Sequence, residues 1–388
     1  MNLSKAKVAD RLVAGALLRL LAPLRFLRDL RAGYRERLDV RHIAFVKFWG
    51  VGNAALLLPV LQDLRERYPA ARLTAVTLPP NVPLFERVAD RVISVRVGNV
   101  VQCFLDLCRA ILELRRERID LALDFEQFAR SSQLLLFLAG ARQTVAFDTA
   151  GQGRAGLAEV RVPYRHTRHV SDCFQDLARA GGVRREKYRP GGLQPLTEAA
   201  AEADQWCRRA GVPPGPLVVL HPGSGDNFPG RRWPTRRFGL LGRRLHDDGA
   251  VVAVSGTAAE ARLVREVIEA SDRPLHDWCG RQDLEQLIAH LARASLLVSN
   301  DTAPVHLASG LGVPVIGLYG PNSPLLYGPL SPGSAAFYDA PPCSPCITNF
   351  NYKTSRCLNP VCIDAIMLDA VTDSARMRLR RRAAERLA

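Results

Sequence analysis

Residues 294–318 are the stretch that most restricts how this chain can fold. An apolar run over 294–298 leads into the polar corner Ser299-Asn300-Asp301-Thr302, then a short helical pattern, a Gly-x-Pro turn and a second apolar run over 313–318. This order predicts strand, loop, helix and strand. Such a loop lies at the carboxyl end of a parallel sheet, where the helix N-terminus can hold phosphate groups. An Asp-Thr helix cap with nothing bound is the alternative interpretation.

The same alternation of strand and helix patterns fills two halves of the chain. A first half opens with the apolar run at 42–48, and a second opens at 216–220 after an Arg-, Pro- and Gly-rich connection. A chain of 388 residues is also too long for one core. We therefore predict an α/β fold with two Rossmann-like domains. The predicted parts are an N-terminal segment (1–41), a first domain (42–190), a second domain (195–365) and a C-terminal helix with a basic tail (366–388).

Composition limits the partners and the compartment. The chain has 53 Lys and Arg against 38 Asp and Glu, a net charge of +15, which favours anionic ligands such as nucleotides and lipid phosphates. No nucleic-acid-binding motif accompanies this charge, so we do not expect nucleic acid as a partner. No uncharged apolar run is long enough to span a membrane. The nine cysteines and the absence of a signal-peptide cleavage pattern predict a protein of the reducing cytoplasm.

The block Asp-Thr-Ala-Pro-x-His-Leu-Ala at 301–308, followed by Gly-Val-Pro-Val-Ile-Gly-Leu-Tyr-Gly-Pro, resembles the nucleotide-sugar half of the family 9 glycosyltransferases. That family includes the heptosyltransferases of lipopolysaccharide core assembly, and further blocks match it in the same order over residues 42–371. The resemblance implies the glycosyltransferase B arrangement, in which two Rossmann-like domains face a cleft and the C-terminal helix at 366–388 returns to the first domain. It also implies an inverting transfer of a sugar, with heptose from an ADP-sugar as the first choice, to a glycolipid or surface-polysaccharide acceptor.

The second half carries the residues that the resemblance assigns to the donor. The run HPGSGDNFPGRRWPTRRF at 221–238 matches the donor-phosphate loop, where Arg231 can neutralise the leaving diphosphate. Glu260 stands where the family places an acidic residue on the ribose, although a carboxylate early in a helix also suits the helix dipole without a ligand. No Asp-x-Asp motif for a metal-bound diphosphate is present, and we expect no catalytic cofactor. The expected donor-binding residues are Ser224, Gly225, Arg231, Glu260, Asp301, Thr302, Ala303 and His306.

The loop after the first predicted strand departs from the family pattern. In the family this acceptor loop ends in Gly-Asp, with the Asp as the expected general base, whereas here Gly52 is followed by Asn53. A carboxamide can orient an acceptor hydroxyl but cannot take its proton. Asp124 and Glu126 are the candidate replacements, and Glu126 is preferred because a shielded carboxylate at this place can have a raised pKa. The alternative is that both are solvated or ion-paired.

Arg130 and Gly52 complete the expected acceptor side. Arg130 follows the two carboxylates in the chain and can bind a phosphate or a carboxylate of the acceptor.

Two other functions stay open. Because Asn53 has replaced the base, the chain could be a non-catalytic nucleotide-sugar-binding protein. A nucleotide-sugar epimerase on the same fold is the second alternative, and it would need no acceptor.

The N-terminal segment predicts a basic amphipathic helix. Residues 1–41 contain ten Lys and Arg against four Asp and Glu, with leucines at helical spacing and an interruption at Pro23. One interpretation places this helix on an anionic membrane surface. The other packs it on its own domain or on a partner. A lipid-linked acceptor favours the membrane, and we therefore expect a peripheral protein on the inner face of the membrane.

Four of the nine cysteines lie within twenty residues near the end of the chain. Thiols at this density in a cytoplasmic protein suggest a tetrahedral structural zinc, and the first pair has the usual two-residue spacing. Reduced buried thiols are the alternative, and disulfides are less consistent with the compartment. The candidate zinc ligands are Cys343, Cys346, Cys357 and Cys362.

Overall fold

The computed structural model describes residues 10–21, 23, 39–213, 215–225, 228–280, 282–351 and 355–387. The chain divides into two compact units, Met1–Arg189 and Pro190–Ala388. Each unit is built around one six-stranded sheet whose neighbouring strands are parallel. The predicted α/β class with two Rossmann-like units is confirmed.

The first unit contains strands β1 to β6 and helices α1 to α5. The strands are β1 (His42–Lys47), β2 (Arg72–Thr77), β3 (Arg91–Ser94), β4 (Leu121–Asp124), β5 (Gln143–Asp148) and β6 (Val160–Pro163). The helices are α1 (Val51–Arg67), α2 (Val82–Phe85), α3 (Val100–Glu117), α4 (Ser131–Ala139) and α5 (Val170–Ala180). The strand order is β3-β2-β1-β4-β5-β6.

The second unit repeats this plan. Its strands are β7 (Leu217–His221), β8 (Val251–Val254), β9 (His276–Asp277), β10 (Leu296–Asn300), β11 (Val315–Tyr319) and β12 (Ala335–Tyr338). Its helices are α6 (Thr197–Arg209), α7 (Thr235–Asp247), α8 (Ala261–Ser271), α9 (Leu284–Arg293), α10 (Ala303–Gly310), α11 (Pro324–Tyr327), α12 (Val361–Asp364) and α13 (Leu368–Leu387). The strand order is β12-β11-β10-β7-β8-β9.

The central strands form because they are apolar on both faces. Every residue of β1, β7, β10 and β11 is buried, as expected for parallel strands that helices cover on both sides. In the second unit the indole of Trp233 packs edge-on against Phe238 and donates a hydrogen bond from Nε1 to the carbonyl of Ile366. This bond ties the start of the C-terminal region to the core of the second unit.

The strand order places the candidate site loops. In the first sheet β1 lies between β2 and β4, and in the second β7 lies between β8 and β10. From the first strand of each sheet, β1 or β7, the chain first adds strands on one side and later adds strands on the other side. The loops that follow two neighbouring strands therefore run in opposite directions from their carboxyl ends. In doubly wound sheets ligands bind in the crevice at this point. The loops concerned follow β1 and β4 in the first unit, and β7, β8 and β10 in the second.

Both ends of the chain carry helices. Helix α13 packs against α7, β10 and β11 of the second unit, and the return of residues 366–388 to the first unit stays a prediction. Near the N-terminus, a π-helical turn (Asp10–Ala14) continues into helical residues 15–21. The leucines of the predicted basic helix at positions 24, 27 and 30 lie outside the described residues. Among the helices that the structure describes, none has the length and apolarity to cross a membrane.

Candidate active site

Glu260 organises the expected donor loop. Its Oε1 accepts hydrogen bonds from the backbone N–H groups of Ser224 (3.1 Å) and Gly225 (3.2 Å), and its Oε2 accepts from the backbone N–H (3.0 Å) and hydroxyl (2.9 Å) of Thr257. Burial acts to raise the pKa of Glu260, but the hydrogen bonds from Thr257 and Gly225 and the charge of His221 outweigh it, so this pKa is lowered. The carboxylate therefore joins the loop after β7 to the loop after β8.

This contact also explains a glycine in the loop. A Cβ atom at Gly223 would lie 2.2 Å from Oε1 of Glu260, so only glycine leaves room for the carboxylate. The resemblance assigns Glu260 to the ribose of the donor. The structure shows its carboxylate accepting hydrogen bonds from the backbone of the loop that carries Ser224, and the contact with the ribose stays a prediction.

Arg231 is the half-buried cation of the expected donor loop. Its Nη2 donates to the carbonyl of Ser224, and its Nη1 donates to the carbonyl of Asp301 at 3.3 Å and lies 3.8 Å from Oδ2 of Asp301. Its Nε–H is buried and has no hydrogen-bond partner among the described residues. Burial lowers the pKa of Arg231, and the charge of Asp301 opposes that shift. The guanidinium thus lies between the loop after β7 and the loop after β10.

The corner after β10 matches the expected strand, loop and helix. Thr302 is the N-cap of α10 and makes no side-chain cap hydrogen bond, while Ala303 is the first helical residue. Oδ2 of Asp301 accepts a hydrogen bond of 2.6 Å from the amide of Asn322. His306 is buried, with its ring 6.3 Å from that of Tyr327. The N-terminus of α10 therefore has backbone N–H groups that Thr302 does not cap.

Two asparagines of this site were not among the predicted residues. Asn300 accepts a hydrogen bond from the backbone N–H of Trp233 (2.9 Å) and donates to the carbonyl of Pro222 (2.8 Å). It thereby joins the end of β10 to the start of the donor loop, and Asn322 holds Asp301. Asn300 lies inside the polar corner from which the site was inferred, so its position was a usable signal. Asn322 follows β11, and no pattern in the sequence indicated its role.

On the expected acceptor side, Glu126 accepts hydrogen bonds from the loop after β1. Its Oε1 accepts from Nζ of Lys47 (2.7 Å) and from the backbone N–H groups of Phe48 (2.6 Å) and Trp49 (3.0 Å). The carboxylate is buried, with 2% exposure of the residue. Lys47 was not predicted, although a lone cation in an otherwise apolar strand signals a buried partner. Glu126 thus fixes the backbone that leads into the glycine loop.

Asp124 belongs to a second buried ion pair. Its Oδ2 accepts from Nη2 of Arg154 (2.5 Å) and from the hydroxyl of Ser132 (2.9 Å), and its Oδ1 accepts from the backbone N–H of Glu126 (3.1 Å). Arg154 also donates to the carbonyls of Ala129 and Phe147. Both charged side chains are fully buried. These contacts favour the structural interpretation of Asp124 over a role in proton transfer.

Asn53 and Gly52 lie in the first turn of α1. Gly50 is the N-cap of that helix with a φ of 88°, a conformation that favours glycine. Asn53 is half-buried, and a Cβ at Gly50 would lie 3.5 Å from its Nδ2. Gly52 is buried. The structure therefore brings Asn53 and Gly52 onto one turn directly after the backbone that Glu126 holds.

The four late cysteines do not form a recognisable metal site. Cys343 is exposed, Cys346 and Cys357 are half-buried, and Cys362 is buried. Burial raises the pKa of the Cys362 thiol, and negative charge on Cys346 and Cys343 would raise it further. No three His, Cys, Asp or Glu side chains are grouped as metal ligands in the part of the chain that the structure describes. The tetrahedral zinc therefore stays a prediction from the cysteine spacing.

The fold agrees with comparisons to known proteins. The family model "Glycosyltransferase family 9 (heptosyltransferase)" matches residues 107–354. Lipopolysaccharide heptosyltransferase 2 of Escherichia coli K12 is 26% identical over 297 residues, which is 72% of this chain and 83% of that protein.

Two solved structures share the fold. A family 9 glycosyltransferase from Veillonella parvula superposes with a TM-score of 0.76 at 22% identity, covering 89% of this chain and 99% of the other. The E. coli ADP-heptose lipopolysaccharide heptosyltransferase II superposes with a TM-score of 0.69 at 21% identity, covering 88% and 99%. Because the family model covers more than half of the chain, this protein belongs to glycosyltransferase family 9 and is a glycosyltransferase.

Proposed function

We propose that the protein transfers heptose, with inversion, from ADP-heptose to a glycolipid acceptor of the lipopolysaccharide core type. The donor half of this proposal rests on Arg231, which Ser224 and Asp301 hold between two loops and whose Nε–H has no hydrogen-bond partner in the described part of the chain. A guanidinium in this environment suits the diphosphate of a nucleotide-sugar. The names of the relatives, lipopolysaccharide heptosyltransferase 2 and ADP-heptose heptosyltransferase II, support heptose and ADP as the donor parts.

In this proposal each site residue has a distinct role in the transfer. Arg231 and the backbone N–H groups at the N-terminus of α10 stabilise the negative charge that develops on the departing diphosphate. Glu260 and Asn300 hold the donor loop in shape. On the first unit, Asn53 orients the attacking hydroxyl, because its amide can donate and accept a hydrogen bond but cannot remove a proton.

In this proposal Glu126 positions the loop after β1. Its Oε1 already accepts hydrogen bonds from Lys47 and from the backbone N–H groups of Phe48 and Trp49. These contacts count against the earlier hypothesis that Glu126 replaces the missing Asp as general base. Its effect on turnover is then indirect, through the position of the backbone before Gly50 and Asn53.

The decisive experiment separates binding from turnover in the full-length protein. Isothermal titration with ADP and UDP measures donor binding, and mass spectrometry follows transfer from ADP-heptose to a heptose-deficient lipopolysaccharide acceptor. We expect ADP to bind and the acceptor to gain one heptose mass. ADP binding without transfer to any acceptor would instead establish the non-catalytic nucleotide-sugar-binding protein that Asn53 suggests. Absence of binding to either nucleotide would refute the donor site.

We further propose that the protein is cytoplasmic and attaches to the inner face of an anionic membrane through its N-terminal segment. Val13, Leu17 and Leu20 are exposed at helical spacing on one side of that segment. The positive net charge supports the same attachment. Flotation with phosphatidylglycerol vesicles should decrease in Leu17→Ser/Leu20→Ser and in high salt. Unchanged flotation of this variant would refute the membrane contact.

The structural zinc is kept as a prediction from cysteine spacing alone. Metal analysis of protein purified without chelators should find about one zinc per chain if the four thiols bind it. A content far below one per chain would establish reduced thiols.

A further inference from the structure

Helix α3 of the first unit has an exposed apolar face. Five of its large apolar side chains are 54–65% exposed, namely Val100, Val101, Phe104, Leu105 and Leu112. Val101, Leu105 and Leu112 are spaced by four and seven residues, so they lie on one side of the helix. We call these five residues the α3 apolar stripe. Exposed clusters of large apolar side chains mark surfaces that contact membranes or other proteins.

The carboxylates of α3 are all paired with arginines of the first unit. Asp106 accepts two hydrogen bonds of 2.9 Å from the guanidinium of Arg96. Glu113 accepts one of 2.7 Å from Arg91, and Glu117 accepts another from the same guanidinium. These three are the acidic residues of the helix. Helix α3 therefore adds no unpaired negative charge beside the stripe.

The last turn of α3 is basic. Arg115 and Arg116 are exposed, and neither forms an ion pair with any residue that the structure describes. The next residue but one, Arg118, is exposed as well. An apolar stripe accompanied by unpaired arginines is typical of helices that lie on anionic bilayers, where the side chains contact acyl chains and headgroups.

The stripe lies toward the expected acceptor edge of the first unit. Helix α3 follows β3 and therefore begins at the carboxyl end of the first sheet. The loops after β1 and β4, which carry the expected acceptor residues, leave the sheet at this same end. Val100, Val101 and Phe104 are among the first five residues of α3. A surface that contacts the stripe is thus near the edge at which we expect the acceptor.

The N-terminal segment, residues 10–21, packs on the helix that also packs against α3. The carboxylate of Asp10 accepts hydrogen bonds of 2.8 Å from the backbone N–H groups of Arg130 and Ser131, at the start of α4. Both the segment and α3 pack against α4. The exposed apolar residues of the segment are Val13, Leu17 and Leu20. Two exposed apolar surfaces therefore belong to elements that share α4 as a neighbour.

We propose that the α3 apolar stripe, together with Arg115 and Arg116, is a second membrane contact, through which the folded first unit docks on a bilayer that contains anionic lipids. The inference deepens the attachment proposed for the N-terminal segment and rests on the proposed function, because a glycolipid acceptor lies in the bilayer. One attached segment only keeps the protein near the membrane. A second contact on the folded unit also orients its acceptor edge toward the lipid.

A second copy of the chain fits the stripe less well than a bilayer does. A stable dimer interface buries about 800 Å² and about 20–30 residues on each partner, whereas the stripe consists of five residues of one helix. The net charge of +15 repels another copy of the chain and attracts anionic headgroups.

The first test measures binding of the full-length protein to phosphatidylglycerol vesicles by flotation. Phe104→Ser/Leu105→Ser removes two residues of the stripe and should lower the vesicle affinity by about tenfold or more. Leu196→Ser/Leu358→Ser removes two exposed leucines of the second unit and is the matched control, which should bind like the natural protein. Neither variant should lower the thermal unfolding midpoint, because all four positions are exposed. Equal affinity of the stripe variant and the control would overturn the proposal.

The contributions of the stripe and of the N-terminal segment are separated in a combined variant. Leu17→Ser/Leu20→Ser should retain part of its flotation because the stripe remains, and adding Phe104→Ser/Leu105→Ser should abolish the rest. Complete loss of flotation in Leu17→Ser/Leu20→Ser alone would refute a second contact. If instead only the stripe variant loses flotation, the stripe is supported and the attachment through the segment fails. Flotation requires no turnover, so these outcomes are independent of the proposed glycosyl transfer.

The arginines are tested with a matched pair of charge variants. Arg115→Gln/Arg116→Gln should lower the affinity for phosphatidylglycerol vesicles by about tenfold and reduce its salt dependence. Arg208→Gln/Arg209→Gln removes two adjacent exposed arginines at the end of α6 and should change neither quantity. Equal losses in the two variants would assign the effect to net charge and contradict a local contact.

A fluorescent reporter in the stripe distinguishes a bilayer from a second copy. The additional fluorescence of Phe104→Trp should be quenched by vesicles of brominated phosphatidylglycerol, while that of Leu196→Trp should not. Sedimentation of the natural protein without lipid should give a monomer. A dimer that Phe104→Ser/Leu105→Ser converts to a monomer, with no quenching in Phe104→Trp, would assign the stripe to self-association and overturn the proposal.

Discussion

Nζ of Lys47 lies 2.7 Å from Oε1 of Glu126, and the exposed fraction of the two side chains is 0% and 3%. The pair joins the end of β1 to the loop after β4, across 79 positions of the chain. The same carboxylate oxygen holds the backbone N–H groups of Phe48 and Trp49. The buried carboxylate of Glu126 therefore helps to hold the backbone that leads to Gly50 and Asn53.

This arrangement predicts how Glu126 acts. Glu126→Gln leaves Lys47 buried without a counter-charge and should lower the free energy of unfolding by about 3–5 kcal/mol, with loss of turnover. The double variant Lys47→Met/Glu126→Gln removes both charges and should recover most of the stability. If Glu126 positions the loop, turnover recovers in the double variant as well. Urea unfolding and kcat are measured on the same preparations, with Lys47→Met as the control.

The opposite result would identify a different role. A double variant that regains stability but remains as inactive as Glu126→Gln would establish Glu126 as the proton acceptor.

Asn53 predicts an activating substitution. Asn53→Asp places a carboxylate where the family pattern has its base, in the first turn of α1 next to Gly50. Turnover should rise by about tenfold or more, since a positioned general base contributes about a hundredfold or more. The rise should appear as a new acidic limb in the pH profile of kcat/KM. Reduced turnover in Asn53→Asp, with full activity in Asn53→Ala, would contradict this.

Substitution of Arg231 should weaken the stabilisation of the donor diphosphate. Arg231→Gln removes the cation that contacts Ser224 and Asp301 and should lower kcat by about a hundredfold or more and weaken ADP binding. Arg236→Gln, an exposed arginine at the start of α7, is the matched control and should change neither quantity. Transfer kinetics and ADP titration measure both effects. Equal behaviour of the two variants would remove Arg231 from the donor site.

The contribution of Glu260 to the free energy of unfolding should depend on pH. Because its folded-state pKa lies below the ordinary value of 4.5, the ionised form stabilises the fold above that value, and this contribution disappears as the pH falls through the lowered pKa. Glu260→Gln should therefore be less stable than the natural protein at pH 7, with a difference that narrows below pH 4.5. Urea unfolding at several pH values measures it. A difference independent of pH would mean that the lost contacts matter without the charge.

Local sequence patterns predicted much of the fold. The apolar runs at 42–48, 216–220 and 294–298 predicted strands that the structure has as β1, β7 and β10, and the corner at Asp301 and Thr302 predicted the start of α10. These predictions succeed because apolar runs and helix starts depend on residues that are neighbours along the chain. The loops that carry the donor motif follow from the same alternation.

The roles of the buried carboxylates were decided by tertiary structure alone. Glu126 and Glu260 looked like site residues by their positions after strands, but β1 and β4 are aligned in parallel with Val46 opposite Asp124, which brings Lys47 to Glu126. Asp10 likewise meets the N-terminus of α4 across about 120 positions. By itself the sequence determined which segments become strands and helices and which loops carry the chemistry. Only the packing decided which charges meet, because burial requires every ionised group to find a partner, and that partner lies on another strand or helix.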